Sequence, residues 1–238
     1  IFTSPSLQMV SFTITEKGYS LVDSKGEHFP QVLHEFENFP SAPKTIMCLV
    51  TLLCYRRYQA GRLPIALVSM DNFFHNGDKL YEAINTFATN WAKKGFVDLG
   101  FVNYINDPKL VTFPWSMIDK ITPRPSEKIK ALLESDGLED MEIICTSQNT
   151  YIAPFVNTEH FHYLVIEDAF PNSRPPLEKA GVIFTDKDTV DKVERMKVCT
   201  CLNPLHSMLA IFGCLLGYKT IFEEMRDDDL KSLIERAG

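Results

Sequence analysis

No two glycines of the chain stand in a G-x-G spacing, so these residues hold no glycine-rich strand-to-helix turn of the kind that cradles a dinucleotide pyrophosphate. A basic surplus is missing as well. With 24 Lys and Arg against 31 Asp and Glu the net charge is −7, and no clustered cations offer the phosphate contacts that nucleic acid requires. Long apolar runs are absent: the longest, Met208 to Tyr218, falls short of the about 20 residues that cross a bilayer. The opening "IFTSPSLQMV" has no charged region followed by an apolar one, which predicts a cytoplasmic protein with neither a secretory leader nor a membrane partner. Cysteines are few. Cys48, Cys54, Cys145, Cys199, Cys201 and Cys214 sit mostly in apolar segments, where thiols behave as small hydrophobes, and they imply no disulfide framework. The one close pair, in "CTC", points to different faces of a helix, so no metal site is expected.

What is present is the composition of a soluble globular protein, 45% hydrophobic over 238 residues, with room for a sizeable core. "LQMVSFTITEKGYSL", rich in β-branched and aromatic residues, predicts a strand that closes on Gly18. "SAPKTIMCLVTLLCYRRYQAG" predicts a helix with Ser41 as its cap and Gly61 as its stop. "LPIALVSMDN" predicts a strand buried on both faces, and "HNGDKLYEAINTFATNWAKKG" a second helix. Strand and helix in alternation point to a parallel sheet. Pro114, Pro123 and Pro125 mark a loop, a helix is expected over 126–135, and "MEIICTS" and "HYLVIED" are strand candidates. From Thr185 onward the pattern is helical by period. The fold class is therefore α/β: a parallel-sheet domain over 1–182, then a mostly helical domain over 183–238. The chain opens on a strand with no preceding unit and stops within a helical region, so it reads as a piece of something longer.

"MKVCTCLNPLH", residues 196–206, packs Lys197, Asn203 and His206 into an otherwise apolar run. On one straight α-helix Lys197 and Asn203 would stand about 240° apart around the axis. Pro204 disfavours the α conformation at Asn203, and Asn is a favoured N-cap, so a break into two helices is predicted there. A break lets Lys197 approach Asn203 and His206. A desolvated lysine can take the proton of a substrate hydroxyl, and carboxamide N–H groups can hold the resulting alkoxide. The competing structural reading has Lys197 snorkelling to solvent, Asn203 merely capping and His206 satisfied in a core. "SMDNFFHNGD" sets Asn72 and Asn76 at the carboxyl end of a parallel strand, where open α/β sheets bind ligands, although both could serve only the turn and the helix start. Asp119 is an isolated acid in the Pro-rich loop. His160, His162, Glu167 and Asp168 fit equally an edge strand of alternating polarity.

"SMDNFFHNGD", "FPWSMIDKITP", "VIEDAFPNSRPPLEKAGVIFTD" and "ERMKVCTCLNPLHSMLA", in that order, resemble the signatures of the mannitol dehydrogenase family of polyol-specific long-chain dehydrogenases. The resemblance runs from about residue 7 to the end. It implies a Rossmann-type first domain, incomplete here because the glycine-rich first strand is missing, and a helical second domain. It also implies a metal-independent enzyme using NAD, or NADP, to interconvert a polyol or sugar acid and its keto form. By motif match Lys197 is the general base, Asn203 the oxyanion-stabilising amide and His206 the residue that orients substrate. Either Asn72 or Asn76 assists the oxyanion from the first domain, with Asn72 and Asp119 toward the cofactor. Lys120 stands where the family usually has Arg, and the lysine precedes the asparagine by six residues rather than five. The final motif looks closest to the members that interconvert fructuronate and mannonate, ahead of those acting on mannitol or tagaturonate. The reading from another class is a non-catalytic sugar-acid binding module that lost its cofactor site.

Overall fold

The computed structural model describes residues 1–120, 122–158 and 163–238. The chain forms two compact units, one of Ile1–Met117 with Val165–Gly238, the other of Ile118–Leu164.

In the first unit, β1 (Met9–Phe12), β2 (Ile65–Ser69) and β3 (Val111–Thr112) form a parallel sheet in that order, with Met9 opposite Ala66 and Ile65 opposite Val111. All five residues of β2 are buried, which is why its sequence is apolar without alternation. Two helices carry most of the packing: α3 (Ile46–Gln59) contributes Met47, Cys48 and Cys54 to the core, and α4 (Asn76–Lys93) contributes Leu80, Ile84, Phe87 and Trp91. The short α5 (Leu99–Ile105) adds Phe101 and Tyr104. Arg57 is fully buried, and its guanidinium donates to the carbonyls of Phe2, Ser4, Leu7, Leu63 and Pro64. It thereby ties the first residues of the chain to the start of β2.

Several elements differ from the sequence prediction. The strand expected to reach Gly18 ends at Phe12, and Thr15–Tyr19 form the helix α1. The cause is Asp71, whose carboxylate accepts the N–H groups of Ile14 and Thr15 at 2.9 Å and turns the chain. The cap of α3 is Thr45 rather than Ser41: its hydroxyl accepts the Cys48 N–H, while Glu35 of α2 (Pro30–Glu37) draws in the N–H groups of Lys44 and Thr45 and keeps that segment extended. The Pro-rich stretch is no plain loop, since it contains β3 and β4 (Ser116–Asp119). Of the free thiols, Cys48 and Cys54 are buried as expected, whereas Cys145, Cys201 and Cys214 are exposed.

The second unit holds α6 (Glu127–Ser135) and an exposed hairpin of β5 (Ile144–Cys145) with β6 (Tyr151–Ile152). Back in the first unit, Val165–Glu167 of β7 (Tyr163–Glu167) run parallel to β8 (Ile183–Thr185). His160 and His162 lie outside the described residues.

After β8 the chain is helical as predicted, but it does not break at Asn203. α7 (Lys187–Glu194), capped by Asp186, continues into a π-helical segment, Arg195–Leu202, and then into α8 (Asn203–Leu216). The N-cap position of α8 falls on Leu202, which keeps right-handed helical angles, φ −72° and ψ −63°, so Asn203 is the first residue of α8 rather than its cap. Widening replaces breaking for a physical reason. Proline has no N–H to give the preceding turn, and i→i+5 bonding takes up one additional residue without ending the helix. The six-residue spacing from Lys197 to Asn203 is accommodated in this way. Counted as one helix, Lys187–Leu216 spans 30 residues and is apolar enough to cross a bilayer by length and composition, a test that core helices also meet. Short helices α9 (Ile221–Glu224) and α10 (Asp228–Ala237) follow.

Candidate functional site

The carboxyl ends of β1 and β2 are bound together by two side chains. Asp71 accepts the Ile14 and Thr15 N–H groups and, at 2.6 Å, the Tyr19 hydroxyl, which also meets Ser69 Oγ at 2.8 Å. Burial first, then the bond to Asp71, pushes the Tyr19 phenol well above its ordinary range, so it stays protonated and donates. Asn76 is buried, and its Nδ2 donates to Asp71 O at 3.0 Å and Ser116 O at 2.9 Å while its Oδ1 accepts the Ser116 N–H at 3.1 Å. Asn72, four residues earlier, is exposed. The two asparagines that the sequence leaves as equals are therefore unlike: one carboxamide is spent on backbone, the other faces outward.

Between them lies a residue that sequence reasoning misses. His75 precedes α4 in a left-handed conformation, φ 54° and ψ 45°. Its ring stacks on Phe74, centroids 3.6 Å apart, and on Trp115 at 3.9 Å, and its Nε2 meets Asp191 Oδ1 of α7 at 2.8 Å. Trp115 Nε1 donates to Asp78, and Lys187 Nζ lies 4.0 Å from the Trp115 ring and 3.3 Å from Asp78. Glu194 is 4% exposed beneath this cluster, and burial raises its carboxyl above the ordinary value. No pattern in "FFHNG" announces the arrangement, because histidine enters the left-handed region only occasionally and its partner Asp191 lies 116 residues away.

Lys197 and His206 line a single, mostly apolar cavity of about 400 Å³ together with Cys201, Leu205 and Leu209. Lys197 is half-buried, and Asn203 and His206 are exposed. On an ideal α-helix residues 197 and 206 would stand about 180° apart, and the wider π segment between them changes that rotation. The side chain of Asp119, at the end of β4, lies outside the described residues. Arg174 could meet a substrate carboxylate only by giving up its present partners: it pairs with Asp168 at 2.8 Å and Glu178 at 2.6 Å and stacks over Phe184 at 3.7 Å. Arg124, in the second unit, lies over Tyr151. Glu167 accepts the Trp115 N–H at 3.1 Å.

A family model described as the mannitol dehydrogenase Rossmann domain matches residues 4–179. D-mannonate oxidoreductase of Thermotoga maritima is 58% identical over 240 residues, covering 100% of this chain and 44% of that protein. Polyol:NADP oxidoreductase of Gluconobacter oxydans is 36% identical over 242 residues, covering 97% and 44%. Among solved structures, substrate-free D-sorbitol dehydrogenase aligns with TM-score 0.79 and 31% identity over 99% of this chain and 44% of its own. The ternary complex of Pseudomonas fluorescens mannitol 2-dehydrogenase with NAD and D-mannitol aligns with TM-score 0.71 and 33% identity over 98% and 44%. The chain thus spans less than half the length of these relatives.

Proposed function

The chain belongs to the mannitol dehydrogenase family, and on that premise we propose that the whole protein is a cytoplasmic, NAD-dependent secondary-alcohol dehydrogenase that interconverts fructuronate and mannonate. The observation that carries the reading is the placing of Lys197 and His206 along one mostly apolar cavity, where the amine of Lys197 can exchange a proton with the hydroxyl of a bound substrate. Lys197 takes the hydroxyl proton in oxidation and returns it in reduction. Asn203 donates N–H to the developing alkoxide, and His206 orients the hydroxyl. The exposed Asn72 is the better candidate for the second donor, since the Asn76 carboxamide is already bonded to Ser116 and Asp71.

NAD, when bound, supplies the acceptor of the hydride. The strand-end turn around Asn72 fits the approach of its nicotinamide end, and the motif match gives Asp119 as a second cofactor residue, while the glycine turn for its pyrophosphate is not among these residues. The family match ending at residue 179 supports a Rossmann-type domain over 1–182, with 183–238 opening the helical domain. A non-catalytic binding module has no use for a lysine held in such a cavity, which argues against that alternative.

The test uses the full-length protein with NAD and mannonate, altronate or mannitol in turn. Mannonate should be preferred, and Lys197→Ala should lower turnover by at least about a hundredfold, the scale of losing a general base. Preference for mannitol would overturn the substrate, and a Lys197→Ala enzyme of near-normal rate would overturn the mechanism.

A further inference from the structure

We propose that His75 is a positioning residue for the proton transfer at Lys197: held between Phe74 and Trp115 and bonded to Asp191, it fixes the helix that carries the lysine against the carboxyl end of β2. The inference rests on the role given to Lys197 above.

Lys197 lies six residues after Asp191 and three after Glu194 on one uninterrupted helical run, so whatever fixes α7 sets where the lysine stands. The link from the sheet side is equally direct. His75 immediately precedes Asn76, whose carboxamide clamps the turn after β2 to Ser116. Gly77 allows that turn to press against the next segment, for a Cβ there would meet Phe113 O at 2.3 Å and Trp115 Cδ1 at 2.7 Å. His75 holds a left-handed conformation that Asn or Gly would also adopt. Its imidazole is what they cannot supply, since it stacks on two rings and reaches across to Asp191 at 2.8 Å.

The charged groups around the imidazole agree with a latch. Asp191 of α7 is also paired with Arg195 at 2.8 Å, and the bond from His75 followed by that from Arg195 holds its carboxyl below the ordinary carboxylate value. From α7, Glu194 approaches the His75 backbone N–H at 3.5 Å and Lys187 lies over Trp115. From α4, Asp78 accepts from Trp115 and Lys187.

The experiment compares His75→Asn, Asp191→Asn and the double variant in the full-length protein, with Lys197→Ala as reference. Asparagine keeps the left-handed turn at low cost but cannot span the distance to Asp191, so His75→Asn separates loss of the latch from loss of the fold. Each single variant should lower kcat about tenfold, the effect of a slightly misplaced catalytic group, with KM for sugar acid and nucleotide changed less than about twofold. The double variant should be no slower than the worse single. Wild-type kcat in both singles, or a double equal to the product of the two, overturns the proposal. Should Lys197→Ala keep full rate, the Lys197 assignment falls and this one with it. Should Lys197→Ala be inactive while His75→Asn and Asp191→Asn are normal, only the latch is refuted.

Discussion

Asn76 and Ser116, forty residues apart, hold each other by a two-way clamp in which the Asn76 Nδ2 donates to Ser116 O at 2.9 Å and its Oδ1 accepts the Ser116 N–H at 3.1 Å. The pair closes the gap between the turn after β2 and the start of β4, and a further bond to Asp71 O carries it to the β1 side. Asn76→Ala strands these partners in the interior, where each unsatisfied group costs roughly 1–3 kcal/mol. A loss of about 3 kcal/mol is expected in urea unfolding. A loss under about 1 kcal/mol would show that water or relaxation satisfies Ser116 without the asparagine.

Arg57 spends its donors on five backbone carbonyls with no carboxylate among them, and burial lowers its pKa. A lysine carries three donors on a point charge and cannot reproduce a planar fork that spans two segments. Arg57→Lys should therefore cost about 3 kcal/mol and release residues 1–7 to rapid hydrogen exchange while the core helices stay protected. Unchanged protection of that N-terminal segment would show that it is anchored by other contacts.

The parts of the fold that the sequence reveals are those governed by local pattern. β2 is legible because both its faces are buried, and α4 because its apolar residues recur at helical spacing up to Lys93. The misreadings come from side chains acting over long separations: Asp71 reaching back to Ile14 and Thr15, and Glu35 reaching forward to Lys44 and Thr45. No local period encodes either. The candidate site divides in the same way. Lys197, Asn203 and His206 stand out as polar residues in an apolar run, but the rule that proline ends a helix yields to π winding, which spacing alone does not foretell. His75 and Asp191, 116 residues apart, become partners only once the fold brings α7 to the turn before α4.

Glu194 and Asp191 sit on the same helix and respond to pH in opposite senses. Burial raises the Glu194 carboxyl above its ordinary 4.5, more than its bond from the His75 N–H lowers it. Folding therefore favours its protonated form: its contribution to stability is complete below pH 4.5 and is lost as pH rises through the elevated folded value. Asp191, held low by His75 and Arg195, contributes above its ordinary 3.8 and loses that contribution as pH falls through the depressed folded value. Glu194→Gln removes the first effect and leaves the second, and Gln still offers an oxygen to the His75 N–H. The variant should match or trail the wild type near pH 4 and gain on it steadily toward pH 7, as read by thermal melts across that range. Parallel stability curves for the two proteins would mean that Glu194 ionises in the folded state as readily as in the unfolded one, and that the cluster beneath His75 is wetter than its 4% exposure indicates.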